Sequence, residues 1–238
     1  MKVRTGTERI GMTESKGEKV EKVEKVEKKP GLLGFTVERV NAFSDGVFAV
    51  AITLMGVNIL VPTISGKVTE AKLAHGLASV WPHFFAFVLS FIIIGMFWIS
   101  HHALFSEIRR ANRTVIWINL IYLLLIVFIP YNTMLMSQFG NTMVSTVMYA
   151  ANMAAAGIVQ AIMAFYATHD QRLVDEDFNP RLAADFVRGN LIMAAVFLIS
   201  IGIAFASPQW AKYFWVVLFI TPLFERAIFG KTPTTAEE

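Results

Sequence analysis

From Gly46 to Pro62 the chain carries no charged residue and a single Asn, and this run limits what it can fold into more than any other. As a helix rising about 1.5 Å per residue it is about 25 Å long. With the apolar flank from Phe43 counted in, it just crosses a hydrocarbon core about 30 Å thick. The full segment, residues 36–61, is followed by five more apolar segments near 76–106, 112–137, 141–168, 185–206 and 210–229. Hydrophobic residues make up 55% of the 238, charged ones only 16%, and the mean hydropathy is +0.54, so the expected class is an all-α membrane protein with six transmembrane helices.

Charge sets the expected orientation. Nine of the 21 Lys and Arg lie in the first 29 residues. Placing that end in the cytoplasm puts 18 of the 21 basic residues inside and leaves only Lys67, Lys72 and Lys212 outside, the bias of a multi-pass plasma-membrane protein with both termini cytoplasmic. Residues 1–34 contain the repeat GEKVEKVEKVEKKPG, whose valine every third position fits neither a helical nor a strand period. They are expected to form a mobile charged tail that is not a signal peptide. Residues 35–230 would then be the transmembrane domain and 231–238 a short cytoplasmic tail. A basic tail beside a membrane points to lipid rather than nucleic acid. There is no cysteine, which excludes disulfides and thiolate metal sites.

Placed on a helix at about 100° per residue, the first segment separates into faces. Phe43, Val50, Leu54 and Val57 form one narrow stripe, while Asp45, Phe48, Ile52 and Ile59 lie opposite. Beside the stripe runs a ridge of small residues, Ala42, Gly46, Ala49, Thr53 and Gly56, of the kind that lets membrane helices approach closely. This geometry alone also fits an anchor helix capped by Ser44 or Asp45 with Arg39 as its flank.

Arg39 and Asp45 are six residues apart and poorly placed to pair on one helix, so their partners should come from elsewhere. At the same expected depth the second segment offers Trp98, Ser100, His101 and His102, and the third offers Trp117 and Asn119. A network of Arg39, Ser44, Asp45, His101 and Asn119 would satisfy polar groups in low dielectric. Adjacent His101 and His102 project about 100° apart and have no accompanying ligand motif, which disfavours a metal site. A proton relay through Asp45 and His101 stays open as an alternative. The chain has no nucleophile elbow, Walker loop or dinucleotide fingerprint, and no T-V-G-Y-G filter, so neither an enzyme nor a carbonyl-ring filter is expected.

Arg39, Phe43, Ser44 and Asp45 spell R-x-x-x-F-S-D at the head of the first segment, which resembles the signature of the transmembrane protein 175 family of potassium channels. FWISHHALF at 97–105 resembles that family's F-W-x-x-H-x-x-x-F, and WINL at 117–120 with PYNT at 130–133 resembles its third-helix pattern. The resemblance covers residues 37–133. It implies a homotetramer whose pore is lined by the first helix, with Arg39, Phe43, Ser44, Asp45, Trp98, His101 and Asn119 bracing that helix. The expected function is a potassium-preferring channel in which Val50, Leu54 and Val57 form a hydrophobic constriction and Thr53 supplies the selectivity hydroxyl. The family usually carries a bulkier Ile or Leu at the position of Val50. Expected partners are potassium, other copies of the chain and membrane lipid, with no cofactor or resident metal; the alternative is a proton-coupled secondary transporter using Asp45 and His101.

Overall fold

A computed structural model describes residues 36–57, 59 and 61–218. Its elements are α1 (Val37–Val57), α2 (Glu70–Ser79), α3 (Trp81–Glu107), α4 (Arg113–Phe139), α5 (Met143–Thr168), α6 (Pro180–Ala206) and α7 (Pro208–Phe214), with a 3-10 turn at His169–Gln171. Among the described residues there is no strand, and five helices, α1, α3, α4, α5 and α6, are long and apolar enough to cross a membrane. The expected sixth span at 210–229 has only residues 210–218 among those described, and both expected tails lie outside them.

Local chemistry explains where the helices begin. Asn112, Thr142, Asn179 and Ser207 precede α4, α5, α6 and α7, and each side chain accepts a hydrogen bond from a first-turn backbone N–H. These caps satisfy orphan donors, and Pro180 and Pro208 occupy first-turn positions where no N–H is needed.

Two boundaries differ from the sequence expectation. α1 stops at Val57 rather than 61, because Gly56 weakens the last turn and Pro62 steers the residue before it out of the helical region. The second segment, expected as one helix from 76, is split: α2 ends at Ser79, Val80 sits at φ −91° and ψ 0°, and α3 starts at Trp81. Pro82 has no N–H with which to continue α2, but fits the first turn of α3, where His83 and Phe84 donate to the Val80 carbonyl. α2 has no buried residue and is held to the loop before it by close packing, since a Cβ at Gly76 would lie 3.0 Å from Pro62 Cβ.

α5 is the centre of the bundle. It packs on α4 along one side and α6 along the other, while α1 lies across α3 and α4. Its buried face runs Ala150, Ala154, Gly157, Ala161, Ala164, small side chains that let backbones close in where no hydrophobic force separates helix from lipid. A Cβ at Gly157 would come within 3.0 Å of the Asn190 carbonyl oxygen and 3.2 Å of Ala194 Cβ. Toward the other end, Trp215 stacks on Tyr149 at 4.9 Å and packs against Phe197, anchoring the chain beyond α7 to α5 and α6. After α5 the chain turns through Asp170 and Gln171, both at positive φ, and folds back on the end of α3. There the Leu173 carbonyl accepts from the backbone N–H of Arg109 and Arg110, and Asp175 pairs with Arg109 at 2.8 Å. Both charges of that pair are half exposed, so it adds little beyond the backbone bonds.

The close α5–α6 contact predicts that Gly157→Leu lowers stability by about 1–3 kcal/mol through overpacking. Thermal unfolding in detergent measures this. Gly202→Leu, at a position where a Cβ meets nothing within 4 Å, should leave the transition in place.

Candidate pore face and signature network

The inward face of α1 consists of Val40, Ser44, Phe48, Ala51 and Met55, all buried. Opposite them Phe43, Val50, Leu54 and Val57 are 56%, 55%, 48% and 80% exposed. Ala42, Gly46, Ala49 and Thr53 are exposed beside that stripe, and a Cβ at Gly46 would meet nothing within 4 Å. Ile52 is half-buried and packs against the core. Thr53 Oγ1 donates back to the carbonyls of Ala49 and Val50, at 2.9 and 3.0 Å. Its one proton is used within the helix, and its lone pairs are left to accept from, or coordinate, whatever lies outside.

Three of the predicted network residues meet in the core. Ser44 Oγ donates to the Val40 carbonyl at 2.9 Å, Asn119 Nδ2 donates to Ser44 Oγ at 2.9 Å, and His101 Nε2 lies 2.9 Å from Asn119 Oδ1. The order fixes the protons: because the amide carbonyl can only accept, His101 carries its proton on Nε2. The ring lies between Phe105, stacked at 4.3 Å, and Tyr122, parallel to within 3° at 5.6 Å. Phe48 of α1 packs on the same ring at 5.6 Å. Two hydrogen bonds and two aromatic contacts between helices thus lock α1, α3 and α4 together.

The other predicted members stand apart from it. Asp45 Oδ1 accepts from Trp98 Nε1 at 2.8 Å, and Trp98 stacks on His102, so the acid is tied to α3 without touching His101. Arg39 and Phe43 are exposed, and among the described residues the Arg39 side chain has no partner. His101 and His102 face different surroundings, and no group of three His, Cys, Asp or Glu converges as a metal site among the described residues.

Sequence reasoning missed the extension of this core. The Tyr122 hydroxyl lies 2.6 Å from Gln160 Oε1, which carries the network on to α5. In the other half of the bundle Thr133 Oγ1 lies 2.8 Å from Ser90 Oγ, and Ser90 Oγ lies 3.0 Å from the Tyr149 hydroxyl, joining α3, α4 and α5. The signal was available: Tyr122 is one turn from Asn119, and Gln160 is an amide in the apolar stretch from Met153 to Phe165.

Comparisons with known proteins bear on this arrangement. The family described as endosomal/lysosomal potassium channel TMEM175 matches residues 39–130, from α1 through the proline of α4. A potassium channel of Streptomyces collinus is 33% identical over 177 residues, covering 71% of this chain and 82% of that one. An endosomal/lysosomal proton channel TMEM175 of Gallus gallus is 34% identical over 109 residues, and the matched part is 22% of its length. The crystal structure of a lysosomal potassium-selective channel TMEM175 homolog from Chamaesiphon minutus superposes with a TM-score of 0.68 at 28% identity, over 79% of this chain and 97% of that one.

Because the buried polar groups are linked in series, removing any one strands its neighbour. Asn119→Leu should cost about 1–3 kcal/mol for each group left unsatisfied. Combined with Ser44→Ala, the loss should fall short of the sum of the single losses by about 1 kcal/mol. Thermal unfolding of the two single variants and the double variant decides it, and additive losses would mean that the two side chains do not act together.

Proposed function

We propose that this chain, which belongs to the TMEM175 family, is a potassium-permeable channel whose pore is lined by α1 from each of several copies. The observation that carries this reading is the division of α1. One face is filled by its own subunit, while the opposite face presents an apolar stripe, Phe43, Val50, Leu54 and Val57, beside a ridge of small residues, and both stand exposed on the protomer. One helix cannot enclose a pore. A ring of copies can, and a closed cyclic assembly is the usual solution. The family resemblance points to four, in the plasma membrane with both termini cytoplasmic.

In such a ring Val50, Leu54 and Val57 form successive apolar constrictions that stop ions by dewetting when narrow. Thr53, with its proton turned back into the helix, presents an oxygen to a partly dehydrated cation. The relay from His101 to Val40 acts as the brace that fixes the rotation of α1, so the stripe and not the Ile52 side faces the axis. Arg39 and Phe43, exposed on the protomer, lie where a neighbouring copy would meet them.

A proton-coupled transporter through Asp45 and His101 is less well supported. Asp45 is bonded to Trp98, and the His101 relay ends on a backbone carbonyl, so among the described residues the two titratable groups belong to separate sets of hydrogen bonds. The channel reading predicts potassium flux down its gradient in liposomes without an imposed pH gradient. Flux that required one would favour the transporter, and proton current in the absence of potassium current would assign a different permeant ion.

Within the pore, Val50→Asn or Leu54→Asn should hydrate the constriction and raise single-channel conductance. Ile52→Asn, about 160° around the helix, should leave conductance nearly unchanged. Thr53→Ala should weaken the preference for potassium over sodium without closing the pore. Equal effects at positions 50 and 52 would show that α1 is rotated from the orientation assigned to it.

A further inference from the structure

Behind the C-terminal half of α1, on the side away from the exposed stripe, α1, α3 and α4 enclose a cavity of about 20 Å³. Helical spacing builds it. Met55 of α1 and Ile59 just past its end form one wall, His83 stands in the first turn of α3, and Thr133, Met134 and Ser137 share one face of α4 beyond its proline. The space holds one water or one monatomic ion.

Its lining offers electron pairs and few protons. Ser137 Oγ donates to the Met134 carbonyl at 2.8 Å, and Thr133 Oγ1 lies 2.9 Å from the Ile129 carbonyl and 2.8 Å from Ser90 Oγ, so both hydroxyl protons have acceptors within α3 and α4. Met55 Sδ lies 3.8 Å from Thr133 Oγ1, which sets one thioether beside the hydroxyls, and Met134 brings a second. His83 asks for a guest. Its Nδ1 is buried and meets no hydrogen-bond partner among the described residues, and a neutral imidazole with its proton on Nε2 presents a lone pair there.

The donor types select that guest. Water fits the space, but thioether sulfur is a weak acceptor and water gains little from two of them. Hard cations such as magnesium and calcium take oxygen ligands, carboxylates foremost, and among the described residues no carboxylate lines the cavity. Two thioethers with an imidazole are a soft donor set, suited to copper(I) and to silver(I), which shares its chemistry.

We propose that Met55, His83 and Met134 form a site for one soft monovalent cation of the copper(I) and silver(I) class. Met55 belongs to the buried face of α1, so an occupied site ties that helix to α3 and α4 about three turns from Ser44 and its relay. Ile59 and Met134 stand 37% and 38% exposed, which places the way in between them. The site is built within one protomer and does not rest on the channel reading.

Silver(I) nitrate, added to the purified full chain in chloride-free buffer and followed by desalting and elemental analysis, tests this. One silver per chain should remain, and the lack of cysteine removes the strongest competing ligand. Met55→Leu and Met134→Leu keep side-chain volume while deleting a sulfur, and each should weaken retention at least about tenfold. Met148→Leu, at an exposed position of α5 outside the cavity, should change nothing. X-ray absorption at the silver edge should show sulfur and nitrogen neighbours together in the wild type. Silver should also raise the thermal unfolding transition of the wild type and not that of Met55→Leu, a comparison that shows each protein to be folded. No silver retained by folded wild type, which would leave the cavity to water, overturns the proposal. So does unchanged retention in either of the first two leucine variants, which would scatter the metal over other methionines, or a silver edge without nitrogen.

Discussion

The hydrogen bond from His101 to Asn119, continued through Ser44 to the Val40 carbonyl, is the contact on which the orientation of α1 depends. Apolar packing can position a membrane helix but resists rotation weakly, because one aliphatic face fits lipid or protein about as well as another. A buried polar relay is less tolerant. Turning α1 by one residue would carry Ser44 away from Asn119 and leave the amide N–H without its partner in low dielectric, at about 1–3 kcal/mol. The rings of Phe48, Phe105 and Tyr122 around His101 exclude the water that could otherwise replace those bonds.

Rotation matters because the two faces of α1 do different things. Val40, Ser44, Phe48, Ala51 and Met55 are committed to the subunit core, so Val50, Leu54 and Val57 are left for whatever lies outside. The small residues beside them leave room for another helix to approach closely. Thr53 adds one polar oxygen to an otherwise apolar surface. α5 supplies the stiffness behind this arrangement, since its small-residue face brings α6 close and Tyr122 reaches across to Gln160.

Much of this was legible in the chain. The spans were visible as long apolar runs because a bilayer demands them, and the stripe on α1 followed from helical spacing alone. Ser44, His101 and Asn119 could be placed at one depth from charge asymmetry, although their order of donation depends on how the three helices are turned toward one another. What could not be read was direction between helices. Spacing gave no reason for Asp45 to choose Trp98 over His101, or for Arg39 and Phe43 to stay outside the core, because those outcomes depend on how α3 rotates against α1. The break at Val80 was obscured because a hydrophobic segment reads continuously through Trp81 and Pro82, even though proline there starts a new helix more readily than it extends the old one. Tyr122 and Gln160 escaped notice because aromatic and amide groups in apolar helices show a need for partners without naming them.

The central claim is that the exposed stripe of α1 faces a shared aqueous path. Cysteine substitution along α1 followed by a small charged thiol reagent, applied while potassium current is recorded, tests it directly in a chain that has no cysteine of its own. Current should fall on modification at positions 50, 54 and 57 and persist at 48, 51, 52 and 55. Block at 52 with protection at 50 and 54 would contradict the account, because it would place the committed face of the helix, and the relay that holds it, on the pore side.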